Sequence, residues 1–289
     1  MYTLFFDSDC DVTPEVAAKY GAKLISMPYV VDGEQIYPYV DFEKFDEKAF
    51  YGMLRKGVLP TTCALSPEDY RKYFEPELEK GNDILYVHFS RAMTVSFQAA
   101  DACIEELLKK YSGRRIELID TKGITIMGYQ ISIQVGELVK EGRSIDEIKA
   151  WAEENVTKNA VYFYADNLKF FARSGRVSGF AAFMGGMIGI KPIIYMSEEG
   201  KMVSFDKAVG RKKALEKVLN CVIELEDHIK DYPVIIGHCD SMELVEECSK
   251  MLKNQFGEDL KIEVVNVNPT AGSHCGPDTV GVSFHSKRR

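Results

Sequence analysis

"DILYVHFSRAMTVSFQAADACIEELLKKYSGRRIELID", residues 83–120, contains the pattern from which the fold can be predicted. An apolar, β-like run through Ser90 precedes a helical pattern from about Ser96 to Tyr111, and a second β-like run, "RIELID", follows. Two strands joined through a helix are typical of neighbouring parallel strands in an α/β sheet. The segment therefore predicts one strand–helix–strand unit of a parallel sheet.

The rest of the N-terminal half repeats this alternation. "YTLFFD" ends at Asp7, Thr13 and Pro14 have the residue types of a helix start, and residues 22–31, "AKLISMPYVV", are predicted as one strand. The second half differs, because "KPIIYMSEEGKMVSFDKAV" predicts an antiparallel hairpin. We therefore predict an α/β fold of two domains: residues 1–152 as a doubly wound, mainly parallel domain and residues 153–289 as a mixed α/β (α+β) domain.

Composition excludes several classes of protein. The 289 residues carry a net charge of −8 with no basic stripe, which argues against nucleic-acid binding. The N-terminus lacks the pattern of a signal peptide, and the longest apolar run, "GFAAFMGGMIGI" at 179–190, is too short to span a membrane. The seven cysteines form no CxxC pair, which indicates reduced thiols rather than disulfides or a metal site. We expect a cytoplasmic protein.

Polar residues gather where the predicted strands end. "DSDCDVT", "SRAMTVSF" and "DTKGIT" each follow a strand, and "PTTCALS" precedes a helix. Helix capping explains any one of them equally well, but ligands bind at the carboxyl ends of strands in open α/β sheets. The stretch "NPTAGSHCGPDTVGVSF", 268–284, adds His274 among glycines and prolines. We expect a flexible loop there, which lets an imidazole and backbone donors close on an anionic group.

Known catalytic motifs are missing from the chain. It has no GxGxxG or P-loop for a nucleotide, no HxxxH or HExxH for a metal, and no GxSxG nucleophile elbow. Hydroxyl groups and an imidazole suit a small anionic head, whereas the apolar run at 179–190 suits a long tail. This combination favours an amphiphilic ligand with a carboxylate.

Four stretches of the sequence together resemble a known protein family. "FFDSDCDVTPEV", "TTCALSPEDY", "ADNLKFFARSGRVSGFAAFMGGMIGIKPII" and "AGSHCGPDTVGVSF" resemble, almost from end to end, the DegV family of fatty-acid-binding proteins. The resemblance implies two α/β domains with a ligand tunnel between them. It also implies a bound long-chain fatty acid such as palmitate, stearate or oleate. A partner fatty acid kinase would use ATP to phosphorylate the presented carboxylate, so the chain itself needs no cofactor, metal or catalytic residue.

The resemblance also implies roles for single residues. Thr62 and Thr94 would hold the carboxylate, His274 would lie near that head group, and Arg176 would lie near the domain interface. Arg211 would dock the kinase partner. Arg91 departs from the family's pattern, and it could add a charge-assisted contact to the carboxylate or simply face solvent.

Other interpretations remain open at this stage. The chain could carry or sense another amphiphile, or act alone as an enzyme in the same pocket, although the missing motifs argue against an enzyme. Locally, His274 could satisfy backbone groups, Arg176 could cap a helix, and Asp7 with Ser8 could form only a turn. We also expect non-catalytic roles for two cysteines and two histidines, namely Cys63, Cys275, His88 and His238.

Overall fold

Three β-sheets organise the computed structural model, which describes residues 1–178 and 189–289. The strands of the described residues are β1 Tyr2–Asp7, β2 Lys23–Ile25, β3 Tyr29–Val31, β4 Glu34–Ile36, β5 Thr61–Thr62, β6 Asp83–His88, β7 Ile116–Asp120, β8 Asn159–Tyr164, β9 Val177–Ser178, β10 Ile190–Met196, β11 Met202–Val209, β12 Val234–His238, β13 Ile262–Asn266 and β14 Val280–His285. The helices are α1 Pro14–Lys19, α2 Glu47–Arg55, α3 Pro67–Glu79, α4 Ser96–Lys110, α5 Ile126–Lys140, α6 Ile145–Asn155, α7 Leu168–Ser174, α8 Arg211–Leu225, α9 Met242–Phe256 and α10 Pro269–Cys275.

The first sheet is parallel throughout, in the order β2-β1-β6-β7. The predicted strand–helix–strand unit at residues 83–120 is confirmed as β6, α4 and β7. Helix starts follow the residue types: Thr13 caps α1 through its side chain, and Ser66 and Ser144 form capping boxes at α3 and α6. The parallel α/β half of the prediction is confirmed.

The second sheet is mixed, in the order β13-β12-β14-β8-β10-β11-β9. The predicted hairpin is confirmed, because β10 and β11 pair antiparallel from Ile190 with Val209 to Met196 with Met202. Strand β14 lies between β12 and β8 and runs antiparallel to both. The mixed character predicted for the second half is therefore confirmed.

The prediction of one strand at residues 22–31 is wrong. The segment divides into β2, which joins the parallel sheet, and β3, which joins a small antiparallel sheet in the order β4-β3-β5. Pro28 lies between them, where it has no N–H to donate to a ladder and favours a break. The small sheet places Thr62 of β5 opposite Tyr29 of β3.

Helix α5 packs between the two large sheets. Its first residue, Ile126, lies against Gly237 of β12, where an added Cβ would come within 2.5 Å of the Ile126 Cγ2. Gln130 of α5 accepts a hydrogen bond from Ser283 of β14 at 2.6 Å. One hydrophobic cluster accordingly includes both Phe6 of β1 and Ile235 of β12. A division at residues 152 and 153 stays a prediction, since the apolar core continues across it.

Candidate ligand cavity and head-group cluster

A cavity lies between the two halves of the fold. It encloses about 940 Å³, including its open mouth. Residues of the first half and of the second half both line it, and most of its wall is apolar, including Met27, Phe89, Ile126, Phe163 and Met202. An apolar cavity with a few polar groups is the usual form of a small-molecule site. The apolar run 179–190, which we expected to line the tail pocket, lies outside the described residues except for its last two.

Thr62 and His274 meet in the wall of this cavity. Thr62 Oγ1 lies 3.1 Å from His274 Nε2, although the two residues are 212 positions apart. Strand β5 positions the threonine and α10 positions the histidine. A hydroxyl and an imidazole are therefore in contact, and both residues line the cavity.

The predicted flexible loop around His274 is wrong, because residues Pro269–Cys275 form helix α10. Asn268 caps this helix by accepting the Ala271 N–H at 2.9 Å, and Pro269 occupies its first position. Asp11 in turn accepts two hydrogen bonds from Asn268, at 2.8 and 2.7 Å. The imidazole is thus held by a short anchored helix, and the Asn-Pro dipeptide was the sequence signal for it.

Gly276 ends helix α10 in the left-handed region, at a φ of 73°. A Cβ at this position would lie 2.3 Å from Cδ2 of Phe170 in helix α7. Both facts favour glycine, and they fix the approach of α10 to α7. This packing keeps His274 near the arginines at the end of α7.

The surroundings of His274 keep it neutral. Burial lowers its pKa to about 4, and the positive charges of Arg176 and Arg173 act in the same direction. A neutral imidazole carries one proton. When that proton is on Nε2, the imidazole donates to Thr62 Oγ1, and the threonine O–H is free to donate into the cavity.

Arg176 lies at the border between the cavity and the outside. Its Nη1 donates to the carbonyl oxygen of Ser174 at 2.6 Å, which is the helix-capping contact that the sequence left open. Arg176 makes no ion pair within residues 1–178 and 189–289, and neither does Arg173. An outer cleft of about 540 Å³ contains both arginines and shares Thr62, Arg176 and His274 with the inner cavity. A positive field therefore surrounds Thr62 and His274.

Thr94 also lines the cavity, directly before helix α4. Its Oγ1 accepts the backbone N–H of Ser96 at 3.1 Å. Because this contact uses the oxygen as an acceptor, the O–H proton of Thr94 remains available as a donor. The structure thus brings Thr62, Thr94, His274 and Arg176, which we call the head-group cluster, to one cavity, and their contact with a ligand stays a prediction.

The structure does not bring Arg91 or Arg211 to the cavity. The guanidinium of Arg91 forms a bidentate pair with Asp101, at 2.7 and 2.8 Å, and lies over the ring of Phe97. Its charge is therefore matched by a carboxylate on α4, and its contact to a ligand stays a prediction without structural support. Arg211 begins α8 and binds Asp166 through two hydrogen bonds and Asp278 through a third, each at 2.8 or 2.9 Å.

Several polar residues discussed for the sequence have structural roles. Asp7 accepts the Cys10 N–H at 3.0 Å, and Ser8 accepts the Met27 N–H at 2.8 Å. His88 is buried with its Nδ1 2.6 Å from the carbonyl oxygen of Phe89, as expected for a core histidine. His238 is also buried, and its Nδ1 accepts the Ser241 N–H at 3.2 Å.

Two thiols, those of Cys63 and Cys275, line the cavity. Burial raises the pKa of the Cys63 thiol, so this cavity residue is protonated at neutral pH. Among the described residues, no group of three or more His, Cys, Asp or Glu is arranged to hold a metal ion. Over the same residues, no helix combines the length and apolarity needed to cross a membrane.

Asp9 and Thr125 also line the cavity, although the sequence indicated only the polar stretches that contain them and not these two residues. Asp9 lies two residues after β1, at the sheet edge where ligands bind, and this position was the available signal. Thr125 precedes α5 with a φ of 52°, an unusual conformation for a β-branched residue, and its N–H donates to the carbonyl oxygen of Asp9 at 2.7 Å. No sequence pattern predicts that conformation.

Known proteins share both the sequence and this fold. The profile of a family described as uncharacterised DegV proteins matches residues 2–287. A DegV domain-containing protein of Clostridium perfringens is 31% identical over 287 residues, covering 98% of this chain and 97% of that protein. A fatty-acid-binding DegV family protein of Thermus thermophilus superposes with a TM-score of 0.85 at 24% identity, covering 99% of each chain. A stearic-acid-binding protein of Eubacterium ventriosum gives 0.86 at 22% identity and the same coverage. The chain described here belongs to the DegV family.

Proposed function

We propose that this protein binds one long-chain fatty acid and presents its carboxylate to a partner kinase, which uses ATP to convert it to an acyl phosphate. The observation that carries the proposal is the contact of Thr62 with His274 in the wall between an apolar cavity and a cleft with two arginines. The fatty acids bound by relatives of the same fold support it.

The head-group cluster suits a carboxylate. The hydroxyls of Thr62 and Thr94 each have a proton to donate, and hydrogen bonds to a charged acceptor are stronger than those between neutral groups. Arg176 and Arg173 form no ion pair among the described residues, and their charges favour an anion at the same place. A bound carboxylate would in turn raise the pKa of His274, because it stabilises the imidazolium.

The apolar wall supplies most of the affinity. Burial of each methylene group stabilises a complex by roughly 0.8 kcal/mol, so a sixteen-carbon chain contributes on the order of 12 kcal/mol before entropic costs. Palmitate, stearate and oleate are therefore the expected ligands. Retention of such a ligand through purification follows from this magnitude.

The position of the cluster supports presentation to a kinase. A head group at the shared wall can face the outer cleft while its chain stays in the inner cavity. In the transfer, a carboxylate oxygen attacks the γ-phosphorus of ATP, the bond to the β-phosphate oxygen breaks, and ADP leaves. The chain lacks a P-loop, so the partner supplies the nucleotide site. The proposal places the protein in the cytoplasm, where ATP is available.

Native mass spectrometry of the purified protein tests the binding step. We expect an added mass of one fatty acid, which organic extraction removes and which palmitate or oleate restores. Protein that is free of lipid and takes up neither acid would overturn the proposal.

The transfer step needs a second assay, in which a fatty acid kinase, ATP and the loaded protein are mixed and acyl phosphate is trapped with hydroxylamine. We expect product only when both proteins are present. ATP turnover by the isolated chain would show a stand-alone enzyme instead.

A further inference from the structure

Asp9 is a buried carboxyl group in the cavity that none of the roles above requires. It lies in the short 3-10 turn Ser8–Cys10 after β1, and 6% of its surface is exposed. Within residues 1–178 and 189–289, neither of its carboxyl oxygens accepts or donates a hydrogen bond, and Oδ1 is fully buried. Its backbone carbonyl accepts the Thr125 N–H at 2.7 Å, which fixes the turn at the cavity wall.

The two neighbouring acids, unlike Asp9, accept hydrogen bonds through their carboxyl oxygens. Asp7 accepts hydrogen bonds from the Phe89 N–H at 2.9 Å and from the Tyr86 hydroxyl at 3.1 Å. Asp11 accepts its two bonds from Asn268. Asp7 and Asp11 therefore serve the protein's own structure. Asp9 lines the cavity and has no such partner among the described residues.

The surroundings of Asp9 favour the neutral form of its carboxyl group. Burial raises its pKa well above the ordinary value, and the charges of Asp7 and Asp11 add to the effect. A neutral carboxyl both donates a hydrogen bond through its O–H and accepts one through its carbonyl oxygen. An alcohol hydroxyl has the same pair of capacities, so the two groups are complementary.

We propose that Asp9 makes this cavity select long-chain fatty acids that carry a hydroxyl group on the chain over unsubstituted ones. The inference rests on the proposed binding of a fatty acid in the same cavity. An unsubstituted chain against Asp9 leaves the buried carboxyl without a partner, which is unfavourable. A hydroxyl at the matching chain position satisfies it, while Met27, Ile126, Phe163 and their apolar neighbours enclose the remaining methylene groups.

Competition binding to delipidated protein tests the inference. The probes are stearate and a series of hydroxystearates with the hydroxyl at successive chain positions. We expect one position, or two adjacent ones, to bind roughly tenfold more tightly than stearate, as satisfying one buried polar group predicts. Other positions should bind more weakly than stearate, because they bury an unpaired hydroxyl against apolar side chains.

Two substitutions assign the effect to the side chain. Asp9→Leu should tighten stearate and abolish the positional preference, while Asp9→Asn, which can still donate and accept, should keep it. Equal affinity of the wild-type protein for stearate and every hydroxystearate would overturn the inference, even if the leucine variant does not fold. A preference that survives in a folded Asp9→Leu variant would also overturn it. Failure of stearate and all hydroxystearates to bind would instead refute the proposed function itself, and this inference with it.

Discussion

Replacing Thr94 with valine removes one donor from the head-group cluster and leaves the shape of the side chain unchanged. The oxygen of Thr94 accepts the Ser96 N–H, and the O–H of Thr94 donates to no acceptor among the described residues. A hydrogen bond to a charged group contributes about 1.5–3 kcal/mol. The dissociation constant for palmitate should therefore rise by about 10- to 150-fold in Thr94→Val.

The same substitution affects folding in a separate and smaller way. Ser96 begins helix α4, and its N–H loses the threonine oxygen as an acceptor. Loss of a side-chain contact at a helix start costs about 1 kcal/mol, and this cost appears without ligand. Thr94→Ser is the matched control, because it keeps both the acceptor and the donor.

The assay measures palmitate binding to delipidated protein by calorimetry, with urea unfolding of the ligand-free variants beside it. We expect Thr94→Ser to resemble the wild type in both measurements and Thr94→Val to be weaker in both. A valine variant that is less stable but binds palmitate normally would show that Thr94 only supports the segment before α4. Unchanged affinity in Thr62→Val and His274→Ala as well would place the carboxylate at another end of the cavity.

Three further results are expected. Arg211→Ala should retain lipid and lower acyl-phosphate formation with the kinase. The control is Arg115→Ala, which removes another arginine with two carboxylate partners and should leave turnover unchanged. Equal turnover in both variants would argue against docking at Arg211. The raised pKa of Asp9 means that the folded protein keeps a proton that the unfolded chain releases near pH 4. The free energy of unfolding should therefore fall as the pH rises above about 4, by up to about 1.4 kcal/mol per pH unit. Asp9→Asn should reduce this slope in urea unfolding at pH 5 and 7. Identical slopes in the two proteins would contradict the raised pKa of Asp9. Gly276→Ala should destabilise the protein by about 1–3 kcal/mol in the same assay. The control Gly113→Ala should be nearly neutral, because an added Cβ there meets nothing within 4 Å. Equal effects of the two substitutions would show that α10 does not pack tightly against α7.

The regular elements could be predicted from the sequence because their signals are local. Ser66 and Ser144 precede helices with an acid three residues later, and both form the capping box that this spacing predicts. The break at Pro28 was equally local, but the apolar residues on both sides concealed it. Helix α10 was missed because glycine and serine have low helix propensity, and its stability comes from tertiary contacts such as Asn268 with Asp11.

The site could be predicted only in part. Thr62, Thr94, His274 and Arg176 were located through the resemblance, and the cavity joins them. The pairing of Arg91 with Asp101 depends on the angle at which the segment before α4 meets that helix, which residue types do not encode. A hydrogen-bond partner for Asp9 depends on the packing of the cavity wall, and among the described residues its carboxyl group has none.

The position of the head-group cluster separates two requirements that would otherwise conflict. Retention of a fatty acid depends on burying its chain, and that contribution grows with chain length whatever the state of the carboxylate. Transfer of a phosphoryl group requires the carboxylate to be reachable. Under the proposed function, a partner would approach the head group while the chain stays enclosed, because Thr62, His274 and Arg176 line both the inner cavity and the outer cleft. Changes to the apolar wall should then alter affinity alone, whereas changes to the cluster should alter affinity and transfer together.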